Sequence, residues 1–352
     1  MGIESFVRDV VAAREREKEF LASTGHTGPL PPADMLAISG GGDNGAFAAG
    51  LLCAWSEAGT RPTFKSVSGV STGALIAPLA FLGSEYDGLL RKIYTSVGPA
   101  DIAEKRNILA AVNHDAMADN RPLRSLISRS IDQTMISRIA EEHRKGRILL
   151  VGTTNLDARQ PVIWNIGKIA ASGDPKALEL FQSILLASAA IPGAFPPSMI
   201  QVEVDGKVYE EMHVDGGASA QVFLYPPSMR ATAQSIDIDM KRAGRIYVIR
   251  NSPVSATTPP FIARQTITIA GRAIESLVHT QGLGDLYRIY VIAQHDGFDF
   301  NLTHIGSDFK FEHKEEFDTP YMRALFDYGY NFIRQDRPWL KTPPGLETQL
   351  GL

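Results

Sequence analysis

The sequence predicts an α/β fold with three layers, α/β/α, around a largely parallel central sheet. Three observations lead to this prediction. Short apolar segments of strand length alternate with longer segments whose apolar residues recur every three or four positions. Each of the first two predicted strands runs into a glycine-containing loop and then a helix. The chain has 352 residues, 44% of them hydrophobic and 21% charged, which is enough apolar material for a large core.

The amino-terminal residues 3–20 predict an amphipathic helix, because apolar side chains recur along one face. This apolar stripe consists of Ile3, Phe6, Val7, Val10 and Val11. We expect the stripe to pack on the body of the protein, with peripheral membrane contact as the alternative. A Gly/Pro-rich linker follows. The predicted organisation is therefore a helix and linker (1–33), one α/β domain (34–340) and a tail (341–352).

The next segments form two consecutive strand–loop–helix units. Residues 35–39 predict a strand that enters a glycine loop, and residues 46–58 predict the helix that follows. Residues 64–68 predict a second strand, which ends just before Ser71 and another helix. Open α/β sheets bind their ligands at the carboxyl ends of the strands, so we expect both loops to belong to one site.

The rest of the chain continues the alternation of strands and helices. Helical spacing of apolar residues predicts helices over 122–143, 176–190, 262–281 and 321–334. Short apolar or alternating runs predict strands over 147–154, 161–165, 208–214, 245–250 and 287–293. The proline-rich block 191–197 cannot be helical.

Composition argues against several classes of protein. The formal net charge of −4 gives no basic footprint, so we expect no nucleic-acid partner. Cys53 is the only cysteine, which excludes an intramolecular disulfide and a cysteine-based zinc site. No apolar run is long enough to cross a membrane, and the first residues lack a secretory signal. We expect a cytoplasmic protein if this start is native, and an exported one if a signal has been trimmed.

Residues 69–73 read Gly-Val-Ser-Thr-Gly, the G-x-S-x-G form of a nucleophile elbow. This motif requires a strand before it and a helix after it, and both are predicted here. We therefore interpret Ser71 as a nucleophile, with Gly69 and Gly73 allowing the tight turn to close. The alternative is a serine that only caps the helix.

Residues 40–45 read Gly-Gly-Gly-Asp-Asn-Gly. A phosphate-binding P-loop would need a Gly-Lys-Ser/Thr ending, which is absent. Gly40, Gly42 and Gly45 satisfy G-x-G-x-x-G, but the next strand does not end in the acid that binds a ribose. We therefore assign Gly40, Gly41 and Gly42 to an oxyanion hole, with the amides of Gly41 and Gly42 as donors, and expect no cofactor or metal.

Asp215 stands at the end of a predicted strand and is followed by Gly216 and Gly217. An acid in this position can approach another loop closely, although an Asp-Gly pair also forms ordinary turns. His213 would share a strand face with Asp215. Asp215 followed by His279 or His295 would also fit the chain order of a Ser–His–acid triad in an α/β-hydrolase.

Four sequence blocks, taken in chain order, resemble those of the patatin-like phospholipase family. The resemblance extends from about residue 35 to at least residue 217. ISGGGDNGAFAAGLL resembles the oxyanion block and SGVSTGAL the nucleophile block. ASAAIPGAFPP (187–197) resembles the block that closes over the site, and VDGG (214–217) the block that supplies the acid. Residues 153–165 are similar to the central hairpin of that family.

The resemblance implies a patatin-like fold and a dyad without histidine, with Ser71 as nucleophile and Asp215 as base. It also implies hydrolysis of fatty acyl esters, commonly phospholipids or lysophospholipids, without a metal. One departure is Asn44, where many members carry Arg or Lys. This departure shifts the expectation toward neutral esters or lysolipids. The alternatives are the Ser–His–acid esterase and a non-catalytic lipid- or acyl-binding module.

Overall fold

A computed structural model describes residues 2–105, 116–225, 242–254 and 264–346. Its helices are α1 (Ile3–Ser23), α2 (Gly45–Glu57), α3 (Thr72–Leu82), α4 (Asp87–Ser96), α5 (Pro99–Ile102), α6 (Arg121–Ser130), α7 (Gln133–Arg144), α8 (Ile166–Ala170), α9 (Ala177–Ser188), α10 (Thr266–Asp296) and α11 (Thr319–Arg334). Its strands are β1 (Ala33–Ile38), β2 (Ser66–Val70), β3 (Glu104–Lys105), β4 (Ala118–Asp119), β5 (Ile148–Asn155), β6 (Gln160–Asn165), β7 (Ser198–Val204), β8 (Lys207–Asp215), β9 (Gly244–Arg250) and β10 (Asp299–His304).

The central sheet has the strand order β10-β9-β1-β2-β5-β8-β7, with β6 also paired to β5. Strands β10, β9, β1, β2 and β5 are parallel, whereas β6, β7 and β8 pair in antiparallel fashion. From β1 the chain first adds strands on one side, and it later returns to add β9 and β10 on the other. This reversal makes the junction of β1 and β9 a topological switch point, and ligands of open α/β sheets commonly bind at the carboxyl ends of the strands beside such a point.

Helices cover both faces of the sheet, which confirms the predicted three-layer α/β fold. Leu36 and Ile38 of β1 point into the core that contains α2, α3 and α11, whereas Ala37 points into the core that contains α10. This alternation follows from the two-residue period of a strand. Helices α2 and α10 therefore lie on opposite faces of the sheet.

Helix α1 packs on the body of the protein through the predicted apolar stripe. Phe6 and Val7 are buried against Ile148 and Leu150 of β5. At the carboxyl-terminal part of the helix, Glu17 forms ion pairs with Lys65 and Arg242, and all three side chains are largely buried. Helix α1 is thus joined to the sheet by apolar packing and by ion pairs.

Two predicted elements are wrong. The single helix expected over 122–143 is two helices, α6 and α7, because the Asp132 side chain caps α7 by accepting a hydrogen bond from the Met135 N–H (2.8 Å). The strand expected over 287–293 is part of α10, a helix of 31 residues. Leu286, Ile289 and Ala293 are buried at helical spacing on one face of α10, whereas Val291 on the opposite side is exposed.

The last parallel strand is instead β10, and strand β7 was not predicted at all. The first two residues of the helix predicted over 262–281 and the end of the predicted tail lie outside the described residues. The domain boundaries at residues 33 and 340 stay predictions. Within the described parts of the chain, no helix combines the length and apolar character needed to span a bilayer.

Candidate active site

Ser71 lies on a sharp turn between β2 and α3. Its backbone has φ 55° and ψ −127°, a strained conformation for a residue with a side chain. The Ser71 N–H donates to Ser188 Oγ (3.0 Å), and Ser188 Oγ donates to the Gly152 carbonyl (2.7 Å). These two hydrogen bonds attach the turn to α9 and β5. The predicted strand–Ser71–helix context is therefore present.

Glycine is required beside the Ser71 turn for steric reasons. A Cβ on Gly73 would overlap the carbonyl oxygens of Ile38 and Ser39, and one on Gly69 would overlap the Gly73 carbonyl. Helix α3 can approach β1 this closely only without a side chain at residue 73. A Cβ would also come closer than 3.0 Å to a neighbouring atom at the other predicted supporting glycines, Gly45, Gly216 and Gly217.

Sheet register brings Asp215 close to Ser71. Strand β5 pairs with β2 up to Val70↔Gly152 and with β8 from Thr153↔Asp215 onward, while β6 occupies its other edge. A strand has only two edges, so Asp215 continues along the same edge of β5 where β2 ends. A Cβ on the next residue, Gly216, would lie 3.1 Å from a Val70 methyl carbon, which agrees with this placement.

The Asp215 side chain is buried, with 5% of its residue surface exposed. Oδ1 accepts a hydrogen bond from the Gly217 N–H (2.7 Å), whereas buried Oδ2 accepts no hydrogen bond of ordinary geometry. Burial raises the pKa of Asp215 from 3.8 to about 6, although interactions with the Ser71 side chain and the Gly217 N–H oppose this rise. The carboxylate is therefore a stronger base than an exposed aspartate.

The glycine loop follows β1 and lies beside Ser71. A Cβ on Gly40 would be 3.2 Å from Ser71 Cβ, but the Gly40 N–H donates to the Gln221 carbonyl (3.0 Å). Gly40 therefore lies against Ser71, and its own N–H is engaged by Gln221. Among the described residues, the amides of Gly41 and Gly42 have no partner in another segment of the chain.

The conformation of the glycine loop is fixed by the residues around it. Gly41 has φ 151°, and a Cβ there would overlap the Asn251 carbonyl. The buried carboxylate of Asp43 accepts hydrogen bonds from His313 Nε2 (2.7 Å) and the Phe317 N–H (2.9 Å). Asn44 Oδ1 accepts from the Tyr321 hydroxyl (2.6 Å). Asn44 Oδ1 thus attaches the loop to α11.

An apolar pocket opens at Ser71 on the α3 face of the sheet. Ser71 and Gly42 line it together with apolar side chains, among them Leu75, Ile93, Val97, Leu123, Phe195 and Met322. Its free volume is about 50 Å³. A larger cavity of about 110 Å³ lies between α1 and the opposite face of the sheet and contains none of the predicted site residues.

Among the described residues, no histidine hydrogen-bonds to Ser71 or Asp215. The buried His213 ring bonds to Thr153 Oγ1 (3.0 Å) and Glu211 (3.2 Å). His295 is paired with its neighbour Asp296 (2.9 Å), and His279 lies near Arg250. This arrangement disfavours the Ser–His–acid alternative.

Asp43, His313 and Glu316 present ligand atoms within 4.8 Å of one another, a spacing that a metal ion could use. The Asp43 carboxylate, however, already receives hydrogen bonds from His313 and Phe317. These bonds account for its burial, so we assign no ion to this cluster.

Sequence reasoning missed the residues that hold the site in place, namely Ser188, Gln221, Asn251, His313 and Tyr321. Ser188 lies in the predicted helix 176–190 and in the block 187–197 that was assigned to the site. This position was the only feature of the sequence that could have indicated its role. The other four are brought to the site by long-range pairing, for which the sequence carries no local pattern.

Several solved structures match this chain at low sequence identity. Solved structures that match the chain include VipD from Legionella pneumophila, at 12% identity, with 86% of this chain and 67% of that chain covered and a TM-score of 0.34. ExoU of Pseudomonas aeruginosa, in complex with SpcU, matches at 13% identity, with coverages of 87% and 52% and a TM-score of 0.31. Human GIVD cytosolic phospholipase A2 matches at 13% identity, with coverages of 78% and 50% and a TM-score of 0.31.

The chain thus spans about half the length of the last two proteins, and no curated protein matches it significantly. The family model for patatin-like phospholipases matches residues 36–226, which is more than half of the chain. The chain therefore belongs to the patatin-like phospholipase family.

Proposed function

We propose that the protein hydrolyses fatty acyl esters of phospholipids or lysophospholipids through a Ser71–Asp215 dyad. The observation that carries this proposal is the buried Asp215 carboxylate, which lies beyond the end of β2 and interacts with the Ser71 side chain. A nucleophile with an adjacent base is the usual arrangement for acyl transfer.

In the proposed cycle, Asp215 accepts the proton of Ser71 while the Ser71 oxygen attacks the acyl carbonyl carbon. The protonated Asp215 then donates its proton to the leaving alcohol, and an acyl-enzyme remains. Water, deprotonated by Asp215, releases the fatty acid. A pKa of about 6 suits both steps, because the group can accept and return a proton near neutral pH.

The amides of Gly41 and Gly42 are the proposed donors to the tetrahedral oxyanion. They lie in the loop beside Ser71 and have no partner in another described segment. The amino terminus of α3, which begins at Thr72, adds a favourable dipole. Each oxyanion donor typically contributes about 10²–10³ in rate.

The acyl chain is proposed to bind in the apolar pocket at Ser71, where water is excluded from the ester. Ile191 lines this pocket and is 41% exposed. Met117 is 58% exposed, and its N–H donates to the carbonyl of Gly193, two residues after Ile191 (3.0 Å). We take Ile191 and Met117 as the rim of the pocket. We propose that this rim, instead of α1, contacts the lipid surface from which the substrate is drawn.

The dyad is tested with matched variants and a serine-reactive fluorophosphonate probe. Ser71→Ala should abolish both labelling and turnover of lysophospholipid and of a chromogenic ester. Asp215→Asn should keep the fold but lower turnover by about 10³-fold or more, as expected for the loss of a catalytic base. Ser96→Ala, at an exposed serine at the end of α4, is the control and should behave as wild type.

Wild-type turnover by Asp215→Asn would rule out the dyad. Loss of activity on replacement of one histidine, with Asp215→Asn also inactive, would favour a triad. A folded wild-type protein that the probe does not label would be a lipid-binding module and not an enzyme of this type.

A further inference from the structure

The switch point between β1 and β9 carries a charged side chain that the proposed reaction does not use. Arg250 is the last residue of β9, and its side chain lies on the face of the sheet covered by α10. The chain leaves β1 toward α2 on one face and β9 toward α10 on the other. The geometry of such a switch point leaves space for a ligand between the two loops.

Arg250 is buried, with 3% of its surface exposed, and has no hydrogen-bonding or ion-pair partner for its guanidinium among the described residues. Nε is completely enclosed without an acceptor. Burial lowers the pKa of Arg250 to about 10, which still leaves the group charged at neutral pH. Buried cations in proteins are normally paired, so an unpaired one requires an explanation.

The one carboxylate that influences Arg250 is already engaged. Asp285 of α10 accepts hydrogen bonds from the Gln221 N–H (2.7 Å) and from Arg288 (2.9 Å). Its role is to hold the segment after Asp215 against α10. The positive charge of Arg250 is therefore left for a group that is not part of the described chain.

Helix α10 and two histidines surround Arg250. Helix α10 has Gly282 above the guanidinium, where a Cβ would lie 2.7 Å from one terminal nitrogen. His279 and His304 lie close enough to Arg250 for its charge to lower the pKa of both imidazoles, in addition to the effect of burial. Both rings are therefore neutral at neutral pH, and Arg250 supplies the positive charge.

Arg250 is next in sequence to a residue that contacts the glycine loop. The next residue, Asn251, places its carbonyl against Gly41, and its side chain donates to the Ser39 carbonyl (2.9 Å). Gly40 in turn contacts Ser71. The acyl pocket at Ser71 therefore lies on one face of the sheet and the Arg250 guanidinium on the other, with the glycine loop between them.

We propose that Arg250 binds an anionic phosphate oxygen, and that in catalysis this oxygen belongs to the phosphodiester of a phospholipid or lysophospholipid substrate. The substrate part of this inference rests on the proposed function, whereas the binding of phosphate itself does not. Arg250 lies outside the family match at residues 36–226.

The first experiment measures binding of inorganic phosphate by calorimetry and by thermal stabilisation. Wild type and Ser71→Ala should bind phosphate equally, and Arg250→Gln should bind it about 10–100-fold more weakly, as expected when a charged hydrogen bond is lost. Arg129→Gln, at an exposed arginine of α6, is the control and should bind as wild type. Equal binding by Arg250→Gln and wild type would overturn the proposal.

The second experiment compares kcat/KM for lysophosphatidylcholine and for a monoacylglycerol with the same acyl chain. Arg250→Gln should lower the value about 10–100-fold for the first substrate and less than about 3-fold for the second, because only the first carries a phosphate. Arg250→Lys should recover part of the loss. Equal losses on both substrates would mean that Arg250 only maintains the fold.

If Arg250→Gln does not fold, inhibition of the wild-type enzyme by inorganic phosphate still tests the proposal. Inorganic phosphate should inhibit lysophosphatidylcholine hydrolysis competitively and leave monoacylglycerol hydrolysis unchanged, and equal inhibition of both would contradict the proposal. Phosphate binding without ester hydrolysis would disprove the dyad but keep this site. Ester hydrolysis without phosphate binding would disprove the phosphate site but keep the dyad.

Discussion

Asp215 determines how the activity should depend on pH. Burial raises the pKa of this carboxyl to about 6, and the base must be ionised to accept the Ser71 proton. We expect kcat/KM for an uncharged, water-soluble ester to be half-maximal near pH 6 and to fall about tenfold for each lower pH unit. A pH–rate profile measures this directly, and full activity down to pH 4 would contradict it.

The raised pKa of Asp215 also predicts that activity is lost at acid pH while the protein stays folded. A carboxyl whose pKa is higher in the folded than in the unfolded state is protonated more readily when folded. Between pH 6 and pH 4, protonation of Asp215 therefore favours the folded state. Circular dichroism over the same pH range is the control that this group does not cause acid unfolding.

At single positions, the sequence identified the residues with a strong local signature. Ser71 and Asp215 were found because glycines beside each mark a turn that needs close backbone approach. Arg250 gave no such signal, because it ends an apolar strand that reads like any buried strand. Its proposed role depends on the absence of a partner among the described residues, which only the three-dimensional arrangement reveals.

Among the elements, the turn from β2 into α3 is the most sensitive to substitution. Gly73→Ala would place a methyl group against the Ile38 and Ser39 carbonyls, so we expect the free energy of unfolding to fall by about 1–3 kcal/mol or more, with loss of activity. Gly88→Ala in α4, where a Cβ meets nothing within 4 Å, should be neutral or stabilise by up to about 1 kcal/mol. Denaturant unfolding of both variants measures the difference, and equal stabilities would refute the steric argument.

The elements that were predicted correctly are those whose pattern is local and unambiguous. Strands β1, β2, β5 and β9 are apolar runs bounded by turn residues, and the structure confirms them within a few residues. The apolar run at 287–293 has the composition of a strand, but it continues a helix whose one face is buried against the sheet. Sequence composition alone cannot distinguish these two environments.

For the whole molecule, the two faces of the sheet divide the proposed roles. The acyl pocket lies on the α3 face and Arg250 on the α10 face, with the glycine loop and Ser71 between them. The order of strands that produces this division was not predicted. Sequence alternation indicated a parallel sheet but not that β9 would pair beside β1.

The pocket rim provides a prediction for the protein as it meets aggregated lipid. Met117→Glu places a charge beside the pocket entrance, so vesicle binding and hydrolysis of vesicle lipid should fall about 5–10-fold while hydrolysis of a monomeric ester is unchanged. Val291→Glu, at a 63% exposed residue near the end of α10, is the control. Equal effects of both variants on vesicles, measured by co-sedimentation, would contradict a role for the rim.

The position of β1 between β2 and β9 also has a consequence for folding during synthesis. Strand β9 starts at Gly244, so residues 39–243 leave the ribosome before β1 gains its second neighbour. Until then β1 presents unpaired N–H and C=O groups to other nascent chains, a condition that promotes self-association. Fragments that stop short of β9 will therefore tend to aggregate, whereas those that include it will have that edge closed.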